Sequence, residues 1–256
     1  MADGDGSHQA RRSAETRSAA ARRGTSESLG TASPHEASRD DSPDCSALLQ
    51  FSPLVRRWFL EQLNAPTLAQ EQAWDAISQE QNSLVIAPTG SGKTLAAFLW
   101  AIDQLVRSRT ASDAIGTMKN LLPSPHASPV GLAPANIEAT QVLYISPLKA
   151  LGVDVHKNLQ VPLAGIKGEY RALGLVEPQI SVGVRSGDTS AYERRKLRKH
   201  PPDILITTPE SLYLMLTSGA AETLTAVRTV IVDEVHALAA TKRGAHLAVS
   251  LERLDD

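Results

Sequence analysis

From residue 52 onward the apolar positions of the chain switch between two periods. In "SPLVRRWFLEQL", Leu54, Trp58 and Leu63 recur near helical spacing, with Ser52 and Pro53 as an N-cap and first-turn proline. "PTLAQEQAWDAI" (66–77) repeats the helical pattern through Leu68, Gln72 or Ala73, and Ile77. Ser83–Ala87 then reads as a short apolar strand, followed by glycines and by a strongly helical, apolar stretch over Lys93–Val106. Further strands are predicted at "QVLYIS" (141–146), "QISVGVR" (179–185), "DILIT" (203–207) and "TVIVD" (229–233). Between them lie helical segments: "PLKALGVDVHKNLQ", "TSAYERRKLRKH" (189–200) and "PESLYLMLTS" (209–218). Strands that alternate with helices imply parallel crossovers. The fold expected is α/β, a doubly wound, mostly parallel sheet with helices on both faces. No internal repeat is visible.

Two stretches break this rhythm. Residues 1–47 are Ser, Ala, Arg, Gly and Asp with hardly an aliphatic side chain, and such a segment cannot bury enough surface to offset its ordering entropy. They are expected to form a disordered tail, leaving 48–256 as one domain. Residues 107–140, rich in Ser, Pro and Ala, read as a flexible surface insertion.

Composition changes this picture little. The 256 residues are 42% hydrophobic with a formal net charge of −2, which suits one globular core and leaves phosphate binding to local placement of Lys and Arg. The single cysteine, Cys45, cannot form an internal disulfide and fits a reducing, cytoplasmic compartment. No apolar run approaches the ~20 residues of a membrane helix. Arg11-Arg12 and Arg22-Arg23 lack the apolar run that an export signal requires.

The chemistry sits where the pattern changes. "APTGSGKT" (87–94) joins a strand to a helix start. Backbone N–H groups can surround a triphosphate only where side chains do not crowd it, which accounts for Gly90 and Gly92 flanking Ser91 after Thr89. Lys93 is placed to reach the β/γ oxygens and Thr94 to ligate Mg²⁺. This is the P-loop pattern, with Ala87 at its first position instead of glycine. "IVDEVH" ends another apolar run. Asp233 is assigned to Mg²⁺ through water, Glu234 to orienting and deprotonating the attacking water, and His236 to the γ-phosphate side. An acid pair that merely caps the next helix is the plainer reading of that motif alone.

"APTGSGKT", "YISPLKAL", "VRSGDT", "DILITTPESLYLML" and "VIVDEVHALAATKRGAHLAVSLERL" together resemble the first RecA-like domain of a superfamily 2 helicase, and more narrowly the large helicase-related (Lhr) family. The resemblance runs from about Ser52 to Leu254. It implies ATP and Mg²⁺ as cofactors, with Gln70 of "PTLAQ" reading adenine. It further implies a single-stranded nucleic acid as partner, DNA before RNA, held at three strand ends: Ser146, Leu148 and Lys149; Ser186 and Gly187; Thr207, Thr208 and Glu210. Each combines a hydroxyl residue with a helix start, which suits phosphates and not bases. Thr208 before Pro209 is equally an N-cap. "ERRKLRKH" (193–200) is read as a solvated basic face, and Trp58, Trp74 and Trp100 as core residues, not base-stacking platforms.

Such a motor works between two RecA-like domains, and the resemblance implies 3′ to 5′ translocation with unwinding of DNA or RNA:DNA duplexes. The Ser-Ala-Thr segment expected after the first domain and the arginines of a second domain are absent from these 256 residues, Arg243 and Arg253 having no matching context. Loss of an arginine finger costs ~10³–10⁵ in rate. The chain alone is therefore expected to bind ATP·Mg²⁺, turn it over very slowly and unwind nothing. The competing readings are a duplex-DNA translocase or remodeller domain and a short non-catalytic nucleic-acid-binding module. A metabolic P-loop kinase gives no reason for "TTPE" and "SPLKAL".

Overall fold

The structure is a computed structural model that describes residues 46–88, 90–121 and 139–255. Four strands, β1 (Val142–Ile145), β2 (Val182–Arg185), β3 (Ile204–Thr207) and β4 (Thr229–Val232), form one sheet in the order β2-β3-β1-β4. All three ladders are parallel: Val142 pairs with Ile204 and Thr229, and Val182 pairs with Ile204. β1 and β3 occupy the centre, and every residue in them is buried, which is why both read as continuous apolar runs. The outer strands β2 and β4 are only half-buried.

Side chains alternate across the sheet and divide the core in two. Val142, Tyr144, Ile204 and Ile206 face a cluster built by α1 (Pro53–Leu63), α2 (Leu68–Ile77), α3 (Lys93–Leu121) and α4 (Lys149–Ala172). Leu143, Ile145 and Leu205 face the opposite cluster, with Leu212 and Met215 of α6 (Pro209–Leu216), Leu238 of α7 (Val235–Leu238) and Leu247 of α8 (Lys242–Asp255). The remaining crossover helix, α5 (Ala191–Lys199), is charged and exposed, as a solvated basic face should be. Trp74 is fully buried, meets Phe51 and Phe59 edge-to-face, and donates its indole N–H to the Ala96 carbonyl at 2.8 Å. Trp58 lies against Gly165 of α4, where a Cβ would come within 2.0 Å of its Nε1. Both tryptophans are core, and Trp100 is partly buried against the same cluster.

The structure departs from the sequence pattern in several places. Ser83–Ala87 joins no ladder, and Leu84 and Ile86 are 71% and 85% exposed. An apolar run becomes a strand only where a neighbour pairs it and both faces are covered, and neither condition holds here. α3 continues past Val106 to Leu121, so the first part of the 107–140 stretch is helix; residues 122–138 lie outside the described residues. The 1–47 tail also lies outside them, except that Ser46–Gln50 forms a 3₁₀ turn with Ala47 and Leu48 buried. Ser52 precedes Pro53 as expected, but its hydroxyl makes no cap bond. Its N–H instead donates to the buried Asp103 carboxylate at 2.9 Å, and Asp103 pairs with Arg107.

Candidate nucleotide and strand-binding site

The nucleotide loop is built from left-handed glycines and a helix start. Gly90 and Gly92 take φ of +81° and +78°, a region that glycine enters without a Cβ penalty. Among the described residues other than its chain neighbours, no atom lies within 4 Å of a Cβ built at Gly90, so that face of the loop is open. Lys93 begins α3 and turns its ammonium back on the loop, donating to the carbonyls of Ala87 at 2.5 Å and Pro88 at 2.7 Å. The Ser91 hydroxyl is buried and has no partner among the described residues. Thr89 lies outside the described residues, and Thr94 occupies the next position of α3 after Lys93.

Gln70 is fixed from two sides. It is the third residue of α2, and with Thr67 it completes a capping box: its Oε1 accepts from the Thr67 N–H at 2.9 Å, while the Thr67 hydroxyl accepts from the Gln70 N–H. Its Nε2 donates to the Gly92 carbonyl at 3.3 Å, and Thr67 Oγ1 donates to the Ser91 carbonyl at 2.9 Å. The glutamine segment and the phosphate loop are thus stitched together.

The acid pair ends β4. Asp233 donates its N–H to the Ile145 carbonyl at 2.9 Å, which places it beside the end of β1. Its Oδ1 accepts from the Glu234 N–H at 2.9 Å, and its Oδ2 accepts from the hydroxyl of Tyr144. Tyr144 in turn stacks on Phe98 of α3, with ring centroids 5.0 Å apart. Burial and the neighbouring Asp233 push the Tyr144 phenol well above its ordinary range, so it acts as a hydrogen-bond donor. Phe98, Tyr144 and Asp233 therefore connect the helix that follows the phosphate loop to the acid pair. Glu234 adopts a left-handed backbone (φ 48°), rare outside glycine, and its carboxylate lies 3.3 Å from Nδ1 of the exposed His236.

Because all strands are parallel, their carboxyl ends share one edge. The Ser146 N–H donates to the Thr207 carbonyl at 2.9 Å, and the Thr207 hydroxyl donates to the Arg185 carbonyl at 2.9 Å. The loop after β2 is tied to α4 by Lys149 and Asp188 at 2.7 Å, and the end of Lys149 lies beside Gly187. The Ser186 N–H donates to the Thr189 hydroxyl at 2.9 Å. The three predicted strand-binding turns are brought together. Ser146, Thr207 and Thr208 are buried, however, and their hydroxyls serve protein partners: the Leu148 carbonyl, the Arg185 carbonyl and Ser211. Leu148, Lys149, Gly187 and Glu210 are the exposed members.

A profile of the DEAD/DEAH box helicase family matches residues 67–256. The chain belongs to that family. It is 59% identical over 206 residues to the Lhr helicase/probable uracil glycosylase of Mycolicibacterium smegmatis, covering 80% of this chain and 12% of that protein. It is 54% identical over 217 residues to the Lhr helicase/uracil glycosylase of Escherichia coli, covering 84% of this chain and 13% of that protein. Its fold matches the solved structure of Mycobacterium smegmatis helicase Lhr bound to ssDNA and AMP-PNP, with a TM-score of 0.69 and 58% identity over 82% of this chain and 23% of that one. The DEAD-box helicase Mss116, at 16% identity and a TM-score of 0.58, shares the fold. This chain thus carries the ATP-binding domain of a superfamily 2 family, of the RecA-like α/β class, and is similar to Lhr. It spans about an eighth of the length of these two relatives. Among the described residues, no helix is long and apolar enough to cross a membrane.

Two residues in the site escaped the sequence reading. Tyr144 was legible in principle, because a tyrosine inside a buried aliphatic strand must find a partner for its hydroxyl. Arg243 was not. It lies 33 residues from Glu210 and 96 from Pro147, yet its guanidinium contacts both.

Proposed function

We propose that this domain binds ATP with Mg²⁺ at the loop 87–94 and grips a single-stranded nucleic acid, DNA in preference to RNA, along the carboxyl edge of β1, β3 and β2. The observation that carries the nucleotide half is the Phe98–Tyr144–Asp233 connection, which joins the phosphate-loop helix to the acid pair. The Lhr of Mycobacterium smegmatis, similar over most of this chain, was solved with AMP-PNP and ssDNA, which supports both ligand classes.

The residues present fit a magnesium–triphosphate complex. Each Asp233 oxygen carries one protein donor, which leaves lone pairs for bridging water. Thr94 and, through water, Asp233 would hold Mg²⁺, which would supply charge neutralisation to the triphosphate. Lys93 exchanges its two loop carbonyls for phosphate oxygens. The unpartnered Ser91 hydroxyl and the open face over Gly90 admit the phosphates. Gln70 is buried with its amide already bonded to Thr67 and Gly92, and only its second lone pair and second N–H remain for the adenine edge. Glu234 takes the proton of the attacking water, and His236, beside its carboxylate, would serve the γ-phosphate side.

At the strand edge, helix-start N–H groups with Lys149 meet phosphates, which carries no base sequence. ATP-driven movement 3′ to 5′ and unwinding of DNA or RNA:DNA duplexes are the activities we assign to the whole protein, by likeness to Lhr. Lys93→Ala should abolish binding of a fluorescent ATP analogue, and Glu234→Gln should retain it while removing any turnover. An undiminished affinity in Lys93→Ala rejects the loop assignment. Competition between DNA and RNA oligonucleotides of one sequence decides the strand preference.

A further inference from the structure

Arg243 stands in the first turn of α8, and nothing in the strand-binding reading uses it. Its Nε donates to Glu210 Oε1 at 2.6 Å, and its Nη2 donates to the Pro147 carbonyl at 3.0 Å. Glu210 opens α6 directly after Thr208 and Pro209, whereas Pro147 lies in the turn between Ser146 and Leu148. One guanidinium therefore spans two of the three helix starts. The planar fork of arginine can hold two acceptors at fixed separation, which a lysine ammonium does less well.

The backbone delivers Arg243 to this point with little freedom. A Cβ at Gly244 would meet the Leu238 carbonyl oxygen at 2.1 Å and its carbon at 2.7 Å. Both are backbone atoms, so α8 must start directly against the end of α7. The Gly244 N–H donates to the Thr241 hydroxyl at 3.2 Å, closing the same elbow. On its other side α8 leans on α6 through Leu247, Leu212 and Met215, and His246 packs on Tyr213 with centroids 4.5 Å apart. The Arg243 guanidinium holds the Glu210 carboxyl below the usual carboxylate range. Both side chains are nonetheless about half exposed, and ion pairs of that kind contribute little to stability. A brace that adds little stability yet fixes two functional turns points to a role in placement.

We propose that Arg243 is a positioning residue that sets the spacing between the β1–α4 turn and the start of α6, so that both engage one strand in register. It acts through Pro147 and Glu210 and makes no contact with the strand itself. The inference rests on the strand-binding reading above.

The test compares Arg243→Ala with the unaltered chain. Three quantities are measured: affinity for a labelled oligo-dT strand over a range of salt, affinity for a fluorescent ATP analogue, and melting temperature. Loss of the brace should weaken oligo-dT binding about tenfold, the scale of one lost hydrogen bond to a charged group. The slope of log affinity against log salt should stay unchanged, and so should nucleotide affinity. A slope reduced by about 0.7 means that Arg243 touches a phosphate directly, and overturns the proposal. Equal oligo-dT affinity in both chains overturns it as well. An unaltered chain that binds no oligo-dT sinks the strand-binding reading and this inference together, a result distinct from the other two. Where Arg243→Ala loses its fold, Arg243→Lys decides. It should fall between the two in strand affinity; equality with the unaltered chain, or loss of fold in this variant too, rejects the positioning role.

Discussion

Replacing Gly92 by alanine tests how the glycine loop and Gln70, proposed above to read adenine, are joined. The new Cβ would lie 2.4 Å from Gln70 Nε2 and 3.1 Å from its Cδ. The obstacle is the end of a side chain, so Gln70 can swing away. Doing so breaks its bond to the Gly92 carbonyl and its capping bond from the Thr67 N–H, about 1 kcal/mol each. Alanine at φ +78° adds ~1–2 kcal/mol of backbone strain. The sum is about 3–4 kcal/mol. In a Gln70→Ala background both bonds and the clash are already gone, and Gly92→Ala should cost only the ~1–2 kcal/mol of strain. Urea unfolding of the four chains, followed through tryptophan fluorescence, measures the difference as a coupling of about 2 kcal/mol. Additivity within ~0.5 kcal/mol would show that the two residues do not meet, and the contact would have to be abandoned. Gln70→Ala should also reduce the preference for an ATP analogue over a GTP analogue.

Three further outcomes are expected. Tyr144→Phe keeps the ring on Phe98 but removes a donor from Asp233, and should lower stability by ~1.5–3 kcal/mol in urea; an unchanged midpoint contradicts the bond. Gly244→Ala would ordinarily favour a helix, but the approach of the Leu238 backbone should make it destabilising by about 2–3 kcal/mol, and a stabilised variant would refute the tight elbow. The folded pKa of Glu210 is lowered by Arg243, so its contribution is present above the ordinary value of 4.5 and is lost as pH falls toward the depressed one. The stability gap between the unaltered chain and Arg243→Ala, below ~1 kcal/mol for so exposed a pair, should therefore close on acidification through that window; a gap that persists at full size in acid argues for a packing role of the arginine stem.

Much of the architecture was legible because it is local. β1 and β3 announce themselves as unbroken apolar runs, and the motifs that follow them fall at strand ends as the alternation requires. What stayed hidden depended on distant partners. Ser83–Ala87 has the composition of a strand, but composition does not supply a paired neighbour. The helix past Val106 is rich in residues compatible with a helix yet lacks a marked apolar stripe, so its pattern resembles that of a loop. Ser52 offers a capping hydroxyl, but Asp103, far along the chain, fixes its backbone instead. Gln70 caps its helix with Thr67, a local pairing that the sequence reading did not single out, and its hold on the Gly92 carbonyl needed the fold. Arg243 gives no local sign of purpose, since both of its acceptors are remote in sequence.

The all-parallel ladder also dictates an order of assembly. Parallel neighbours cannot zip up through a hairpin, so every pairing must wait until its crossover has formed. β2 and β3 are separated only by the short α5, whereas β1 meets β4 after α4, β2, α5, β3 and α6 have all passed. Closing that larger loop carries the greater entropic cost, and docking of β4 should be a late, slow event in refolding. Asp233 and Glu234 follow β4 directly, so this acid pair should reach its place only as the last rung of the sheet closes.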